Sequence, residues 1–242
     1  MRKVFISAAV LIALVLPVGV LAQGGLEEAR LLLKKDHDLD AFQKAIDLCV
    51  ETADSQPESF EANWMAAKAY RLYADETKQR QLTGWQDVCR EYGKKGMGYG
   101  EKAIALAPEK VNGHFWYGTC VGSYSDGVSI FTALKEGLKD KTQTSLETAY
   151  TIDKLYHEAG PVLAIGRFWS VLPWPLKDKK KALAYIEEYY SHYPDKPEGL
   201  VYLGEAYLDV KEKDKAKAVL EKAAASDETY YSDWAKRLLA DM

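Results

Sequence analysis

A proline followed ten residues later by a small residue recurs along this chain. The three pairs are Pro57 with Ala67, Pro108 with Gly118, and Pro194 with Gly204. Proline ends one helix or enters the first turn of the next, and a small side chain inside a helix allows a second helix to approach closely. The recurrence therefore predicts an all-α array of stacked helical hairpins, each hairpin packed against its neighbours along the chain.

The most regular unit covers residues 194–228. It has Gly204 and Tyr207 in its first half and Ala216 and Ala223 in its second half. This spacing resembles the 34-residue tetratricopeptide repeat, in which two antiparallel helices, A and B, pack through small residues. The resemblance implies that Gly204 contacts helix B at the two alanines, and that the chain is a tetratricopeptide-type helical-hairpin solenoid.

The three proline and small-residue pairs are unevenly spaced along the chain, so the other units must contain extra residues. The sequence between residues 125 and 158 has apolar residues at helical spacing in two stretches, which predicts a two-helix insertion. The predicted units are residues 26–57, 58–108, 109–194 with the insertion at 125–158, and 197–230, followed by a closing helix at 229–241.

The first 22 residues have the pattern of a secretory signal peptide. Arg2 and Lys3 precede an apolar run at residues 4–16, and a small-residue cleavage site ends at Ala22. We therefore expect export to a bacterial periplasm, cleavage after Ala22, and one α-helical domain at residues 23–242; an uncleaved anchor is the alternative. Residue 23 is Gln23 rather than a lipid-modified cysteine, so a lipoprotein is not expected.

Charge and cysteine content narrow the function classes. The net charge is −4, and loss of Arg2 and Lys3 would leave 30 basic and 36 acidic side chains. A nucleic-acid partner is not expected, because binding phosphates requires a basic surface. Cys49, Cys89 and Cys120 do not form a C-x-x-C motif. They are either small buried hydrophobic residues or, in an exported protein, a set in which one pair is oxidised.

No motif for catalysis, a metal or a cofactor stands out, so the sequence predicts a non-enzymatic protein with none of these groups. The four histidines lie far apart, with no second His or Cys at ligand spacing. Two interpretations exist for His157, an i,i+4 pair with Asp153 or a solvated helix residue. The glycines between residues 93 and 100 suggest either a phosphate loop or close helix packing, and the absence of a preceding strand favours packing.

The chain is rich in aromatic residues, with 6 Trp and 16 Tyr, and these are the most informative feature of its composition. Many fall on helix A sequences, which line the concave face of such solenoids, where aromatic side chains bind extended segments and small ligands. The same residue types also fill the space between repeats, and Tyr70, Tyr207 and Trp169 have the register of core residues. The candidate binding residues are Trp116, Tyr117, Tyr124, Tyr150, Tyr156, Trp169 and Trp174.

A second resemblance is narrower. The order F-W-Y-G-T-C-V-G, a long helical insertion, and G-P-V-L-A-I-G-R-F-W-S-V-L-P resembles the T component of TRAP-type transporters over residues 60–225. Its markers are Gly160-Pro161, Gly166 and Leu172-Pro173. The resemblance implies a periplasmic accessory whose partner is a solute-binding protein. The chain departs from that family's lipoprotein form, because Gln23 stands at the end of the signal sequence.

Two functions follow from these observations. The first is an exported scaffold that binds a protein or peptide on its concave face. The alternative is a carrier of a small hydrophobic ligand, in a cavity closed by the insertion helices. The residues expected to line that cavity are Trp116, Tyr124, Tyr150, Tyr156 and Trp169. Homo-oligomerisation is left open by the sequence.

Overall fold

The computed structural model describes residues 18–35 and 37–242, without the side chains of residues 18–23 and Ile130. The described residues form helices and connecting turns, with no β-strand. The helices are α1 Val18–Leu32, α2 Leu39–Ser55, α3 Phe60–Gln79, α4 Trp85–Leu106, α5 Val111–Asp126, α6 Ile130–Lys135, α7 Leu138–Asp153, α8 Tyr156–Val171, α9 Lys179–His192, α10 Pro197–Asp209, α11 Lys213–Ala224 and α12 Thr229–Ala240. Within the described ranges, no helix is both long and apolar enough to cross a membrane.

Most of the predicted signal peptide, residues 1–17, lies outside the described residues. Helix α1 begins at Val18, so the predicted cleavage point after Ala22 falls inside this helix. Cleavage and export stay predictions.

The helices pair into five antiparallel hairpins. The pairs are α1 with α2, α3 with α4, α5 with α7, α8 with α9, and α10 with α11, and α12 packs against the last pair. The first helices of successive hairpins also touch, since α3 contacts α5, α5 contacts α8, and α8 contacts α10. These first helices correspond to helix A and form the inner layer, while the second helices form the outer layer. The all-α hairpin solenoid expected from the sequence is confirmed.

The insertion differs from the expectation in its position in the array. Both helices predicted between residues 125 and 158 are present, as α6 and α7. Helix α7, however, packs against α5 on one side and α8 on the other. It therefore serves as helix B of its own hairpin, and residues 109–194 contain two hairpins rather than one with an addition. Only the short α6 is an extra element, and it lies in the connection between α5 and α7.

Glycines on the A helices set the distance to the B helices. In three hairpins a helix A glycine faces an aliphatic side chain of helix B: Gly118 with Leu146, Gly166 with Ile186, and Gly204 with Leu220. A Cβ on Gly166 would lie 2.6 Å from the Ile186 side chain, so no larger residue fits without repacking. The predicted close contact at Gly204 is confirmed, but the residue it meets is Leu220 rather than Ala216 or Ala223.

The glycines between residues 93 and 100 lie inside the continuous helix α4. Three of them face α5: Gly93 at Tyr124, Gly96 at Cys120, and Gly100 at Tyr117. A Cβ on Gly93 would lie 2.5 Å from the backbone nitrogen of Tyr124. Close helix packing is therefore the reason for this composition, as the absence of a preceding strand indicated.

The three cysteines are free and buried. Burial raises the pKa of Cys49 and of Cys120 from 9.0 to about 12, and that of Cys89 from 9.0 to about 11. Such thiols stay neutral near pH 7 and behave as small hydrophobic residues. Of the two interpretations that the sequence allowed, this one fits the structure.

The chain changes direction sharply between α7 and α8. His157, Glu158 and Ala159 have positive φ angles of 50°, 55° and 55°, and the regular part of α8 follows them. Gly160 then passes close to the ring of Phe115, since a Cβ there would lie 2.6 Å from it. Because α7 ends at Asp153, the helical pair proposed for Asp153 and His157 does not form. The ring of His157 instead lies 4.9 Å from that of Trp116.

Candidate binding cavity on the concave face

A cavity of about 420 Å³ lies on the inner layer of the solenoid. Its walls come from the C-terminal halves of α3, α5 and α8, from α6 and α7, and from α10 and α12. Helices far apart in sequence thus meet around one space, because the inner face of a stacked array is concave. The volume falls in the range of small-molecule and side-chain pockets, about 300–1,000 Å³.

One wall of the cavity is apolar. It is formed largely by the segment between α5 and α8, with a contribution from α8 itself. The apolar residues are Val128, Ala133, Leu134, Leu138, Leu146, Ala164, Phe168, Val171, Leu172 and Pro173. The two helices between residues 125 and 158 therefore contribute to the cavity wall, while ligand carriage stays a prediction.

A second part of the lining carries charge. Arg71 on α3 forms an ion pair with Asp75 at 2.6 Å, and Lys78 pairs with Asp126 at 2.6 Å. Burial acts to lower the pKa of Arg71, but the adjacent Asp75 carboxylate outweighs it and leaves this pKa above its usual value. Arg71 is thus a permanent cation, held in place by a carboxylate that faces the same cavity.

A second arginine lies on α8. Arg167 donates to Glu205 at 2.5 Å, and its guanidinium lies 4.6 Å from the ring centre of Tyr202 and 5.1 Å from that of Trp234. Burial acts to lower the pKa of Arg167, whereas Tyr202 and Glu205 raise it, with a net increase. The guanidinium is fixed by both rings and the carboxylate, and its remaining donors are preorganised for an anionic or carbonyl group.

The end of the cavity near α12 is closed by a polar contact across the array. Gln79 on α3 donates to the Tyr231 hydroxyl at 3.3 Å. Burial raises the pKa of nearby Glu198, with a further increase from Asp75, while hydrogen bonds from Tyr202 and Tyr231 partly oppose the increase. Hydroxyl, amide and carboxyl groups therefore join the second hairpin to the last hairpin and the closing helix.

The seven aromatic residues singled out in the sequence lie elsewhere, and none belongs to the cavity lining. Four of them, Trp116, Tyr117, Tyr124 and Trp169, are buried in one hydrophobic cluster between hairpins. Tyr150 and Tyr156 are half-buried against the same cluster, and Trp174 is 90% exposed. The structure thus brings six of them together in or against the core and leaves Trp174 apart.

The polar tips of the half-buried aromatics are satisfied within the protein. The Tyr156 hydroxyl accepts a hydrogen bond from Trp116 Nε1 at 3.0 Å, and the Tyr150 hydroxyl donates to Glu188 at 3.0 Å. The lining expected for the ligand cavity, from Trp116 to Trp169, differs from the observed one because these large rings fill the space between repeats. A role for the seven residues in binding stays a prediction, and Trp174 has the exposure that it requires.

Sequence reasoning missed the residues that do line the cavity. The charged ones are Arg71, Asp75, Lys78, Asp126, Lys139 and Arg167, and the aromatic ones are Phe168, Tyr202, Tyr230, Tyr231 and Trp234. A signal was present in the arginines, since each interrupts an apolar, small-residue stretch of a helix A: A-Y-R-L-Y and A-I-G-R-F-W. A permanent charge in such a stretch requires a partner or a cavity.

No group of three or more potential metal ligands occurs in the part of the chain that the structure describes. The His114 ring contacts the backbone, since its Nε2 lies 2.8 Å from the Pro108 carbonyl oxygen. The cavity lining itself offers charged, hydrogen-bonding and apolar groups.

Five stacked hairpins with a cavity on the inner layer define a protein of the tetratricopeptide-like solenoid class. The tetratricopeptide protein TTC0263 of Thermus thermophilus has a similar fold, with a TM-score of 0.63, 19% identity, and coverage of 90% of this chain and 99% of that one. A structure of MamA is also similar, with a TM-score of 0.53 and 15% identity; the match covers 85% of this chain and 91% of MamA. YrrB, a tetratricopeptide protein with an unusual peptide-binding site, has a TM-score of 0.50 and 16% identity. The match covers 89% of this chain and 92% of YrrB.

The sequence places the chain more narrowly. The family model described as regulator of microtubule dynamics protein 1-3 matches residues 26–167, more than half of the chain, and the chain belongs to this family. The matched segment runs from α1 into α8 and contains Arg71 and Arg167 together with the whole insertion. This family is a different one from the T component of TRAP-type transporters, and that association stays a prediction. A search of the curated proteins found no match.

Proposed function

We propose that the protein is a non-enzymatic scaffold that binds an extended segment of a partner protein in the concave cavity. The observation that carries the proposal is the pair of arginines on two inner-layer helices, Arg71 on α3 and Arg167 on α8. Each is held by a carboxylate beside an open, partly apolar space. Their donors would bind backbone carbonyl or carboxylate groups of the segment, while Leu138, Leu146 and Phe168 would receive an apolar side chain.

Two finer parts of the proposal rest on the sequence. The N-terminal pattern supports export to the periplasm with cleavage after Ala22, which an intact mass of the exported protein would check. The resemblance over residues 60–225 supports a solute-binding protein as the partner, in an accessory role to a TRAP-type transporter. A mass corresponding to the uncleaved chain would contradict the first part, and a partner of another class would contradict the second.

A second candidate is the carrier of a small hydrophobic ligand. The apolar wall supplied by α6, α7 and α8 favours it, since such pockets are lined mainly by apolar side chains with a few polar groups that fix orientation. Native mass spectrometry of the purified protein separates the two candidates. A retained small molecule that is lost in Phe168→Asp would favour the carrier.

The scaffold is tested by site-specific photo-crosslinking in periplasmic extract. A crosslinking residue at Val171, on the cavity lining, is expected to capture one protein partner, whereas the same residue at Leu31 on α1 is not. Arg167→Gln should reduce capture about tenfold or more, because it removes charge-assisted hydrogen bonds. Arg237→Gln is the matched control on an exposed part of α12. Equal capture by both variants would contradict binding through the cavity.

A further inference from the structure

Two segments at the opening of the cavity expose large apolar side chains. On α6, Phe131 is 81% exposed and Leu134 is 46% exposed. Val171, the last residue of α8, is 55% exposed, and Trp174, in the turn that follows, is 90% exposed. Leu134 and Val171 also line the cavity, so both segments stand at its mouth. Phe131 lies on the same face of α6 as Leu134, one helical turn away. We call this surface the rim.

The rim is basic in a protein that is acidic overall. Residues 131–141 and 171–181 together contain seven lysines and three carboxylates, whereas the whole chain carries −4. Asp209 pairs with Lys177 and Lys179, so the excess over these segments and their ion-pair partner is three positive charges. Three of the seven lysines, Lys135, Lys141 and Lys180, are exposed and form no salt bridge with any residue of the described ranges. Their charge is therefore available to an external partner.

We propose that the rim docks on an anionic lipid surface, with Phe131 and Trp174 entering the headgroup region and the lysines contacting lipid phosphates. Exposed aromatic side chains beside lysines are the combination that binds the interface of a bilayer. Each lysine near an anionic membrane surface adds to the attraction. A protein partner fits less well, because lysine is depleted from protein–protein interfaces and their aromatic anchors sit in pockets rather than on lysine-rich rims.

Docking through the rim would turn the mouth of the cavity toward the membrane. Membrane docking by the rim is independent of what the cavity binds. Loss of membrane binding would leave the scaffold proposal standing, and loss of partner capture by Arg167→Gln would leave rim docking standing.

The test is flotation of the full chain with lipid vesicles. We expect binding to phosphatidylcholine vesicles that contain about one-third phosphatidylglycerol, and weak binding to vesicles of phosphatidylcholine alone. Binding to the anionic vesicles should weaken as salt rises above about 0.15 M. The fluorescence of Trp174 should shift to shorter wavelength on binding. The variant with Phe131→Ser and Trp174→Ser should bind about tenfold less or weaker still and lose most of the shift.

Charge and surface controls make the test specific. The variant with Lys135→Glu, Lys141→Glu and Lys180→Glu should bind about a hundredfold less. The same changes at Lys35, Lys110 and Lys222, which are exposed lysines elsewhere, should have a much smaller effect. Leu31→Ser with Leu155→Ser is the apolar control, since both side chains are more than half exposed and lie outside the rim.

Three results would overturn the proposal. One is equal binding to neutral and anionic vesicles. Another is an equal loss of vesicle binding in the rim variants and in their control variants, provided that circular dichroism shows that each variant is folded. The third is absence of vesicle binding together with capture of an acidic protein that needs Phe131 and Trp174, which would make the rim a protein interface.

Discussion

Helix α4 carries four glycines between residues 93 and 100, and their surroundings differ. Gly93, Gly96 and Gly100 face α5 at distances that exclude a Cβ, whereas Gly98 has no neighbouring atom within 4 Å of that position. Glycine lowers helix stability by about 1 kcal/mol relative to alanine. At three positions close packing against α5 offsets this cost, and at Gly98 nothing does.

The two kinds of glycine give opposite expectations for the same substitution. Gly93→Ala should lower the free energy of unfolding by about 1–3 kcal/mol, since the new methyl group meets the backbone of Tyr124, which cannot move aside as a side chain could. Gly98→Ala should raise it by up to about 1 kcal/mol. Urea unfolding of both variants is the measurement. A neutral Gly93→Ala would mean that α4 and α5 lie further apart than the structure places them.

Helices α6 and α7 follow one another in sequence but hold different positions in the array. Leu146 of α7 is buried against Gly118 of α5, and Leu138 is buried nearby, so α7 is part of the continuous core. Helix α6 packs mainly on α7 and exposes Phe131. We infer that α7 stabilises the fold, whereas α6 shapes the cavity and its rim.

Truncation of one apolar side chain on each helix tests this division. Leu146→Ala should cost about 2–5 kcal/mol, because it leaves a cavity between two hairpins. Phe131→Ala should change stability by about 0.5 kcal/mol or less, as expected for an exposed residue. Denaturant midpoints of the two variants decide the matter. A small loss of stability in Leu146→Ala would mean that α7 is an added helix rather than part of the core.

Across the whole molecule the array curves until its closing helix, α12, reaches the second hairpin. Gln79 on α3 reaches Tyr231 on α12, a separation of 152 residues in sequence. Helix α12 also covers the apolar side of the last hairpin, as a terminal unit of a solenoid must, since an exposed core end would not be stable in water. It thus both finishes the stack and supplies Tyr230, Tyr231 and Trp234 to the cavity.

Deletion of residues 228–242 should therefore affect stability and binding together. We expect a melting temperature about 5–10 °C lower, from the loss of a few kcal/mol of packing, and loss of partner capture at Val171. Gln79→Ala is the milder control, which removes one hydrogen bond and should cost about 0.5–1.5 kcal/mol. Thermal unfolding followed by circular dichroism measures both. An unchanged melting temperature on deletion would contradict a capping role for α12.

The candidate site was less accessible to sequence reasoning than the fold. Large aromatics on helix A, such as Trp116 and Tyr124, were expected at a binding surface, but their size makes them the residues that fill the space between hairpins. Arg71 and Arg167 were overlooked, although a charge in an apolar helix required an explanation. Which of these side chains faces the cavity depends on the rotation of each helix about its axis, and tertiary packing sets that rotation.

By itself the sequence determined that this chain is a stack of helical hairpins, because prolines and small residues at fixed spacing act locally on helix ends and close contacts. Only the tertiary structure decided which helices pair. Gly118 contacts Leu146, 28 residues later, whereas Gly204 contacts Leu220, 16 residues later. The two contacts hold the same position in their hairpins, but the different connection lengths prevent their recognition from sequence spacing. The cavity is also a tertiary property, since the curvature that brings α12 to α3 is the sum of small rotations between successive hairpins.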